Sequence, residues 1–424
     1  MDNRYYLCID LKTFYASCEC VLRGLDPFKT NLVVADPSRG KGAICLAISP
    51  KLKAMGIKNR CRLFEIPDNV KYITAMPQMK KYMEFSSKIY SIYLRYIAKE
   101  DIYPYSIDEM FLDVTTYLRL YKTTPEKLAK TLMNKVKEEL GLPSACGIGT
   151  NLFLAKVALD ITAKHSGDNI GFLDEEKFKK ELWTHQPLSD FWQIAGGMTR
   201  RLNSMGLYTL KDISNANPDL LYEEFGINAE ILIDHANGIE PVTIKDIKNY
   251  KRKSQSISTS QILFTDYTYE KAKLILTEMV ELLSLQLVEK ELVTNNVSLQ
   301  IRYSKDTFKP TGGSMKMTIC TNVFSKLLPY FIEIFEQTTN KVALIRGIGI
   351  SFNNVTTIDN EYYDLFTDPS EVEKERKLAE AINSIKNKYG KNSVLKAMNL
   401  DDDATTIKRN KLIGGHNAEN EDAD

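Results

Sequence analysis

The chain has 424 residues, a length that suggests two to four domains. Its net charge is only +1, so composition alone does not indicate a nucleic-acid partner, and such affinity must come from local patches. The 7 scattered cysteines lack CxxC pairs and only 4 histidines are present, which argues against a disulfide framework or a zinc site. Without a signal peptide or an apolar run of membrane-spanning length, the sequence predicts a cytoplasmic protein with no membrane partner.

The first predicted element is a strand, Arg4–Asp10, that ends in a carboxylate, and a helix follows it. Residues 24–76 predict a small unit rich in turns, with strands at Leu32–Ala35 and Ala43–Ile48. A short helix, framed by Pro and Gly, is predicted over Ser49–Gly56.

The central acidic motif follows a helix predicted over Met79–Lys99. Two strands, Ile102–Ser106 and Met110–Val114, flank Asp108-Glu109 at or near a hairpin turn. Adjacent carboxylates on an otherwise apolar hairpin cost solvation unless a cation compensates, and a hard divalent ion is the candidate because such ions take oxygen ligands. The alternative is a solvated turn, where acidic residues are common.

Asp10 changes the balance between these two interpretations. A buried strand that ends in Asp10, together with Asp108 and Glu109, supplies three carboxylates from neighbouring strands of one sheet. That composition can hold two Mg²⁺ ions for in-line phosphoryl chemistry.

The two acidic motifs resemble those of the Y-family translesion DNA polymerases. They read Asp10-Leu-Lys-Thr-Phe-Tyr-Ala-Ser17 and Tyr105-Ser-Ile-Asp-Glu-Met-Phe-Leu-Asp113, and the resemblance is closest to the UmuC-like branch of Gram-positive bacteria and their mobile elements. It runs over residues 4–355, and a tail segment near Thr405–His416 also looks like that branch. The resemblance implies an α+β, multidomain right-hand polymerase.

The order strand–helix–strand–strand–helix–strand in the N-terminal part is that of a ferredoxin-like palm. Its last helix and strand are predicted at Pro125–Leu140 and Ser144–Ile148. The predicted division is palm, 1–23 and 77–165; small fingers, 24–76; helix-hairpin-helix thumb, 166–240; basic linker, 241–253; α+β little finger, 254–356; and C-terminal tail, 357–424.

By resemblance, the catalytic residues are Asp10, Asp108 and Glu109, and these three with the Leu11 carbonyl hold two Mg²⁺ ions. Asp113 is expected to be a strand-end or structural carboxylate. The nucleotide-binding set begins with Phe14 and Tyr15. Tyr15 matches the aromatic that lies under the sugar and excludes a 2′-hydroxyl, whereas Phe14 is better explained as a core aromatic.

Two lysines complete the nucleotide-binding set. Lys156 matches the lysine that meets the β- and γ-phosphates in the family. Because it lies on an apolar helical run, its charged group must extend to solvent or form an ion pair. Asp160, one helical turn later, could be the partner. The family's fingers helix carries a Tyr and an Arg where this chain has Pro50 and Lys53. Lys53 keeps the positive charge of that Arg but cannot form the paired hydrogen bonds of a guanidinium group.

DNA contacts are expected along the rest of the chain. Ile194–Met198 resembles a helix-hairpin-helix turn whose backbone N–H groups meet a phosphate, although it could be an ordinary αα-turn. Lys245–Lys253 is basic and each phosphate contact would steepen salt dependence, although charge runs are often only solvated. The predicted DNA-binding residues are Gly196, Gly197, Lys251, Arg252, Lys253, Arg302 and Lys316, with Lys305 and Lys309 as further candidates.

The C-terminal half alternates between strands and helices. Strands are predicted at Ser256–Leu263, Asn296–Tyr303, Met315–Ile319 and Ile345–Phe352, and helices at Thr268–Lys290, Val323–Gln337 and Pro369–Tyr389. In the tail, Leu365 and Phe366 resemble the apolar anchor of a sliding-clamp peptide. Asp401–Asp403 and the final residues are acidic and expected to be disordered.

The sequence therefore predicts a monomeric, template-directed, error-prone DNA polymerase for translesion synthesis. Its partners are primer–template DNA and dNTP, with a sliding clamp and an SOS recombinase or accessory subunits as further expectations. A palm-type nucleotidyl cyclase shares the fold and the carboxylates, and a non-catalytic DNA-binding protein of the SOS response would leave them unused. Neither alternative is excluded by the residues alone.

Overall fold

The computed structural model describes residues 4–251, 255–304 and 308–419. Arg252, Lys253 and Lys305, which the sequence predicts as DNA contacts, lie outside the described residues. The chain divides into unit 1, Met1–Tyr250 with Asn417–Asp424, and unit 2, Lys251–His416. It therefore crosses between the units twice.

Unit 1 contains eight strands within its described residues. They are β1 (Tyr6–Leu11), β2 (Leu32–Val34), β3 (Ala47–Ile48), β4 (Ile73–Ala75), β5 (Ile102–Pro104), β6 (Glu109–Asp113), β7 (Ser144–Gly149) and β8 (Ile170–Leu173). Its α-helices are α1 (Phe14–Leu22), α2 (Pro50–Ala54), α3 (Met79–Tyr93), α4 (Thr115–Leu120), α5 (Pro125–Leu140), α6 (Leu152–Val157), α7 (Glu175–Glu181), α8 (Gly196–Ser204), α9 (Leu210–Asn215), α10 (Pro218–Phe225), α11 (Asn228–Ala236) and α12 (Ile244–Asn249).

The main sheet of unit 1 has the strand order β5-β6-β1-β7-β8. Its first four strands are antiparallel and have the ferredoxin-like order predicted for the palm. β8 is parallel to β7, so residues that the sequence division assigned to the thumb extend this sheet. Every residue of β1 except Asp10 is buried, because β1 is a central strand and helices pack on the sheet.

A smaller sheet, β3-β2-β4, corresponds to the predicted fingers. It packs around Val33, Ile48 and Leu52, which belong to a core of its own. The predicted strand Ala43–Ile48 is shorter in the structure: only its last two residues form β3, and Ile44 makes a single bridge.

Helices α7 to α12 follow β8. The predicted linker, 241–253, is not wholly extended, because it contains α12. Thr243 and Asp246 form a capping box at its start, and Ile244 is buried against the main sheet. The Thr-x-x-Asp spacing is visible in the sequence, so this helix could have been predicted but was not.

Unit 2 contains a five-stranded antiparallel sheet, with four long strands and one strand of two residues, and helices pack against it. Its strands are β9 (Ile257–Tyr267), β10 (Leu292–Tyr303), β11 (Thr311–Thr321), β12 (Ile345–Asn353), β13 (Thr356–Thr357) and β14 (Leu412–Ile413), and its helices are α13 (Tyr269–Glu289), α14 (Phe324–Thr338), α15 (Pro369–Tyr389) and α16 (Thr406–Asn410). The sheet order is β11-β10-β12-β9. β15 (His416–Asn417) pairs with β14 at the second crossing of the chain.

The expectation of disorder at Asp401–Asp403 is wrong. Asp403 accepts a salt bridge from Lys271 at 2.7 Å, and the chain on either side of this segment is hydrogen-bonded to Glu278 of α13. Local composition could not show this, because the stabilising carboxylate lies more than 100 residues away in the chain. None of the helices in the described residues has the length and apolarity needed to cross a membrane.

Candidate active site

The structure brings the predicted carboxylates to one edge of the main sheet. Asp10 on β1 lies directly opposite Glu109 on β6, and the Leu11 N–H donates to the Asp108 carbonyl at 3.0 Å. Directly opposed residues in an antiparallel pair project to the same face with Cβ atoms about 5 Å apart. Side chains almost 100 residues apart in the chain are thereby neighbours.

The turn between β5 and β6 orients Asp108. Ser106 donates a hydrogen bond from its hydroxyl to Asp108 Oδ1 at 2.7 Å, while the N–H groups of Tyr105 and Ser106 donate to the Glu109 carbonyl. Asp113, at the far end of β6, accepts from the Thr115 N–H and hydroxyl and so closes a local turn. Its contacts are those of a structural carboxylate.

Asp10 lies in a strongly negative environment. Burial by the sheet and its helices, together with the charges of Asp108 and Glu109, raises the pKa of Asp10 to about 7, although Lys164 and Lys156 oppose the rise. Ionised Asp10 is therefore disfavoured both by burial and by the negative charge of two neighbouring carboxylates, which the nearby lysines do not fully offset.

Glu109 forms an ion pair with Lys156. Both of its oxygens lie 2.9 Å from Lys156 Nζ, and the Cys8 thiol donates to Glu109 Oε1 at 3.1 Å. Lys156 also lies 3.0 Å from Asp160, so the predicted pairing is present. Burial alone would lower the pKa of Lys156, but Glu109 and then Cys8 and Asp160 raise it well above its usual value.

Two glycines of β7 allow Lys156 to reach this edge. A Cβ on Gly147 would lie 2.0 Å from the Ala155 carbonyl oxygen, and one on Gly149 would lie 2.1 Å from the Ala155 nitrogen. Only glycine therefore permits α6 to lie directly on β7. α6 in turn carries the side chain of Lys156 to Glu109.

The donor set suits a hard divalent cation. Three carboxylates and a backbone carbonyl are the oxygen ligands that Mg²⁺ takes, and the raised pKa of Asp10 reports charge that such an ion would neutralise. Among the described residues no three His, Cys, Asp or Glu side chains already enclose a metal-sized position, and Glu109 faces Lys156. Binding would therefore involve a change of partner at Glu109.

The aromatic pair at the start of α1 is divided between the core and the site. Phe14 is buried, as expected of a core aromatic, whereas Tyr15 is half-buried and stacks on Tyr82 of α3 at 4.7 Å between ring centroids. The Tyr82 hydroxyl donates to buried Glu19 at 2.7 Å. The helical pattern of Met79–Lys99 did not indicate this supporting role of Tyr82.

Several cations lie close to the carboxylate edge. Burial lowers the pKa of Lys12, with the charge of Lys53 on α2 adding to it and Asp10 opposing it, so Lys53 reaches the neighbourhood of the site. Arg60 partly offsets the rise that burial and Asp108 cause in the pKa of Tyr15. Lys12 and Arg60 were missed, because a lone basic residue in a turn or after a strand carries no sequence signal.

The other predicted residues lie elsewhere in the fold. Gly196 and Gly197 form the exposed first turn of α8, where no side chain caps the helix. Exposed positions on β10 and β11 carry Arg302 and Lys316, and Lys251 is exposed at the start of unit 2. Leu365 and Phe366 are 100% and 95% exposed.

Comparison with known proteins identifies the class. Family models described as impB/mucB/samB family and impB/mucB/samB family C-terminal domain match residues 9–160 and 254–365. A Y-family DNA polymerase chimera of Dbh and Dpo4 shares the fold, with a TM-score of 0.62 and 19% identity over 83% of this chain and 99% of the other. The chain belongs to the impB/mucB/samB family, and its fold is that of this Y-family DNA polymerase chimera.

Two relatives from Bacillus subtilis (strain 168) are more specific. UvrX, whose name describes UV-damage repair, is 34% identical over 97% of this chain and 97% of its own length. DNA polymerase IV 2 is 28% identical over 98% of this chain and 99% of its own length. The similarity thus includes both units and most of the tail.

Proposed function

We propose that this chain is a template-directed, error-prone DNA polymerase that extends primers past damaged template bases. The primer 3′-hydroxyl attacks the α-phosphate of a bound dNTP, and pyrophosphate leaves. The observation that carries this proposal is the pairing of Asp10 with Glu109 beside Asp108, in surroundings that raise the pKa of Asp10. Such a concentration of negative charge requires cations, and phosphoryl transfer supplies a use for them.

Asp10, Asp108 and Glu109, with the Leu11 carbonyl, would hold two Mg²⁺ ions. When bound, these ions lower the pKa of the attacking hydroxyl and neutralise the triphosphate. The contribution of the chain is to hold the carboxylates on adjacent strands, where the sheet restricts their movement.

Lys156 and Lys53 would bind the triphosphate. Lys156 is paired with Glu109 and Asp160 at the carboxylate edge. On nucleotide binding it would exchange Glu109 for phosphate oxygens, which frees Glu109 as a ligand and stabilises charge on the leaving pyrophosphate. Lys53, on exposed α2, would meet the same phosphates as a point charge.

Tyr15 would exclude ribonucleotides by lying under the sugar. Its ring is held by the stack on Tyr82, so it cannot easily move away from a 2′-hydroxyl. We expect Tyr15→Ala to incorporate ribonucleotides at least ~10-fold more readily relative to dNTP, and Tyr15→Phe to keep the discrimination because the ring remains. Unchanged sugar discrimination in Tyr15→Ala, measured by single-nucleotide primer extension, would refute this role.

The DNA contacts and the partners are part of the proposal. Exposed N–H groups at Gly196 and Gly197 would meet a phosphate, as would Lys251, Arg302 and Lys316. Leu365 and Phe366 are almost fully exposed, as expected of an apolar anchor for a sliding clamp. A cytoplasmic location, a monomeric state and a link to the SOS recombinase or accessory subunits complete the proposal.

Primer extension tests the proposal against its rivals. The purified full chain is given a primed template, dNTP and Mg²⁺, and is compared with Asp108→Asn. We expect extension by the unaltered chain and its loss in Asp108→Asn, with DNA binding retained. Asp113→Asn is the matched control: it lies on the same hairpin, keeps the acceptor for Thr115 and should remain active.

The two rivals give different results in the same assay. A nucleotidyl cyclase would convert nucleotide without primer or template. A non-catalytic DNA-binding protein would bind the primed template but extend nothing, and Asp108→Asn would change nothing. Either result would overturn the proposal.

A further inference from the structure

Unit 1 contains a cavity of about 440 Å³ that the proposed reaction does not use. It is bounded by the β5–β6 hairpin, the start of α6, Trp192 and the segment from α11 to α12, and none of the four predicted metal ligands lines it. Its volume falls within the range of small-molecule sites, about 300–1,000 Å³.

Aromatic rings form one wall of this cavity. Tyr105, Phe111 and Trp192 lie with their ring centroids 5.7–5.9 Å apart, and the Trp192 indole N–H donates to the Tyr105 hydroxyl at 3.0 Å. The hydrogen bond and the mutual contacts hold the rings in place before any ligand arrives. A preformed aromatic wall attracts flat apolar bodies and, through its π faces, cations.

Acidic side chains also line the cavity. Glu230 and Asp234 on α11, with Glu240 beyond it, line the cavity, and its lining within the described residues includes no lysine or arginine. Glu240 accepts from His235 and from the Val242 N–H. In the part of the chain that the structure describes, the carboxylates of Glu230 and Asp234 accept no hydrogen bond and form no ion pair.

The charge of these carboxylates is therefore incompletely compensated. Burial raises the pKa of Asp234. The charges of Glu230 and Glu240 add to this rise, and His235 opposes it. A neutral or anionic occupant would leave this negative potential in place, whereas a cation would relieve it.

We propose that this cavity binds a small organic monocation with a flat apolar body, of the aryl amidine or arylalkylamine class. The apolar body would lie against Tyr105, Phe111 and Trp192. The cationic group would face Asp234 and Glu230, for whose carboxylates the described residues supply no hydrogen-bond or ion-pair partner. An inorganic cation does not fit this cavity, because most of its lining is apolar.

A ligand in the cavity would affect the carboxylates of the site through the β5–β6 hairpin. Tyr105 lines the cavity, and the next residue, Ser106, holds Asp108 by a 2.7 Å hydrogen bond. A ligand packed against Tyr105 would restrict the turn that positions Ser106 and Asp108, so we expect slower primer extension when the cavity is filled. This consequence rests on the proposed polymerase function, but the binding itself does not.

Three probes of similar shape and different charge test the binding. The purified full chain, without DNA or nucleotide, is titrated by calorimetry with benzamidine, benzamide and benzoate. We expect benzamidine to bind at least ~10-fold more tightly than benzamide, since a cation–π contact and a charge pair together exceed the 1.4 kcal/mol of a tenfold ratio. Benzoate should not bind. Equal binding of benzamide, or no binding of benzamidine, would overturn the proposal.

A matched pair of variants locates the site. Asp234→Asn should weaken benzamidine binding ~10-fold and leave benzamide unchanged, because only the charge is removed. Glu223→Gln, an exposed position on neighbouring α10, should leave both unchanged. Circular dichroism checks that each variant is folded, and unweakened benzamidine binding to folded Asp234→Asn would overturn the assignment. Inhibition of primer extension is then measured separately, so that failure of the coupling or of the polymerase function is distinguishable from failure to bind.

Discussion

Two enclosed carboxylates, Asp10 in unit 1 and Glu278 in unit 2, differ in what surrounds them. Glu278 is 1% exposed and accepts hydrogen bonds from the Asn399 amide and from the N–H groups of Thr405 and Thr406. Asp10 faces Asp108 and Glu109, two further carboxylates. Burial alone therefore does not distinguish a structural acid from a functional one.

The neighbours of each carboxylate make that distinction. Neutral donors satisfy Glu278 and dock the tail on α13, so its charge is used in folding. Like charges around Asp10 leave it unsatisfied, which is the condition under which a metal or a substrate group completes a site. Glu19 is an intermediate case, since its donors include Tyr82, which in turn supports Tyr15.

The largest expected difference between the two carboxylates is in catalysis. Asp10→Asn should reduce primer extension at least ~1,000-fold, equivalent to about 4 kcal/mol of lost transition-state stabilisation. Glu278→Gln, which removes the same charge, should change extension of a short primed template less than ~3-fold. Steady-state rates at saturating dNTP measure both variants. Equal losses of rate would contradict the distinction between a functional Asp10 and a structural Glu278.

The second difference is in stability. Glu278→Ala leaves the Asn399 amide and two backbone N–H groups without their acceptor, so we expect about 3 kcal/mol lower free energy of unfolding for unit 2. Glu270→Ala, on the exposed start of the same helix, should cost less than about 0.5 kcal/mol. Urea unfolding measures the loss, and proteolysis within residues 397–410 should accelerate only in Glu278→Ala.

The third difference appears with pH and metal. Because folding raises the pKa of Asp10 from 3.8 to about 7, ionised Asp10 penalises the folded state; the penalty is absent below pH 4, grows between pH 4 and 7 and is complete above pH 7. In chelator, Asp10→Asn should thus exceed the unaltered chain in stability by about 2 kcal/mol at pH 8 and by almost nothing at pH 4. That value is about half of the full shift, because Asp10 is partly exposed.

Mg²⁺ should reduce the difference in stability between Asp10→Asn and the unaltered chain, because it stabilises the unaltered chain at pH 8. Thermal unfolding with and without Mg²⁺ measures the effect for the unaltered chain, Asp10→Asn and Glu278→Gln. Glu278→Gln should keep the full response to Mg²⁺, since its carboxylate is not a ligand. A Mg²⁺ response that persists in Asp10→Asn would contradict the assignment of Asp10.

The smallest effect concerns the support of Tyr15. Tyr82→Phe keeps the ring stack but removes the hydrogen bond to Glu19, which contributes about 1 kcal/mol. We expect a loss of sugar discrimination of ~5-fold or less, well below that of Tyr15→Ala. The ratio of dNTP to ribonucleotide incorporation is the measurement, and Tyr90→Phe on the same helix is the control.

Much of the site was predictable because its residues lie in continuous motifs. Asp10 lies near the end of one apolar strand, Asp108 and Glu109 lie at the start of another, and the strand–helix order predicts the sheet that joins them. Lys156 was predicted to pair with Asp160, and it does. Its closer involvement with Glu109 could not be predicted, since that contact depends on how closely α6 approaches β7 at Gly147 and Gly149.

The sequence by itself determined the apolar strands, the acidic residues at their ends, the glycines that permit close packing and the family to which the chain belongs. Only the tertiary structure decided which buried carboxylates are satisfied, which cations approach Tyr15 and Lys12, and where Asp234 is left without a partner. The physical reason is that strand and helix patterns depend on near neighbours in the chain. Solvation and charge depend on every group that folding brings near, however distant in the chain.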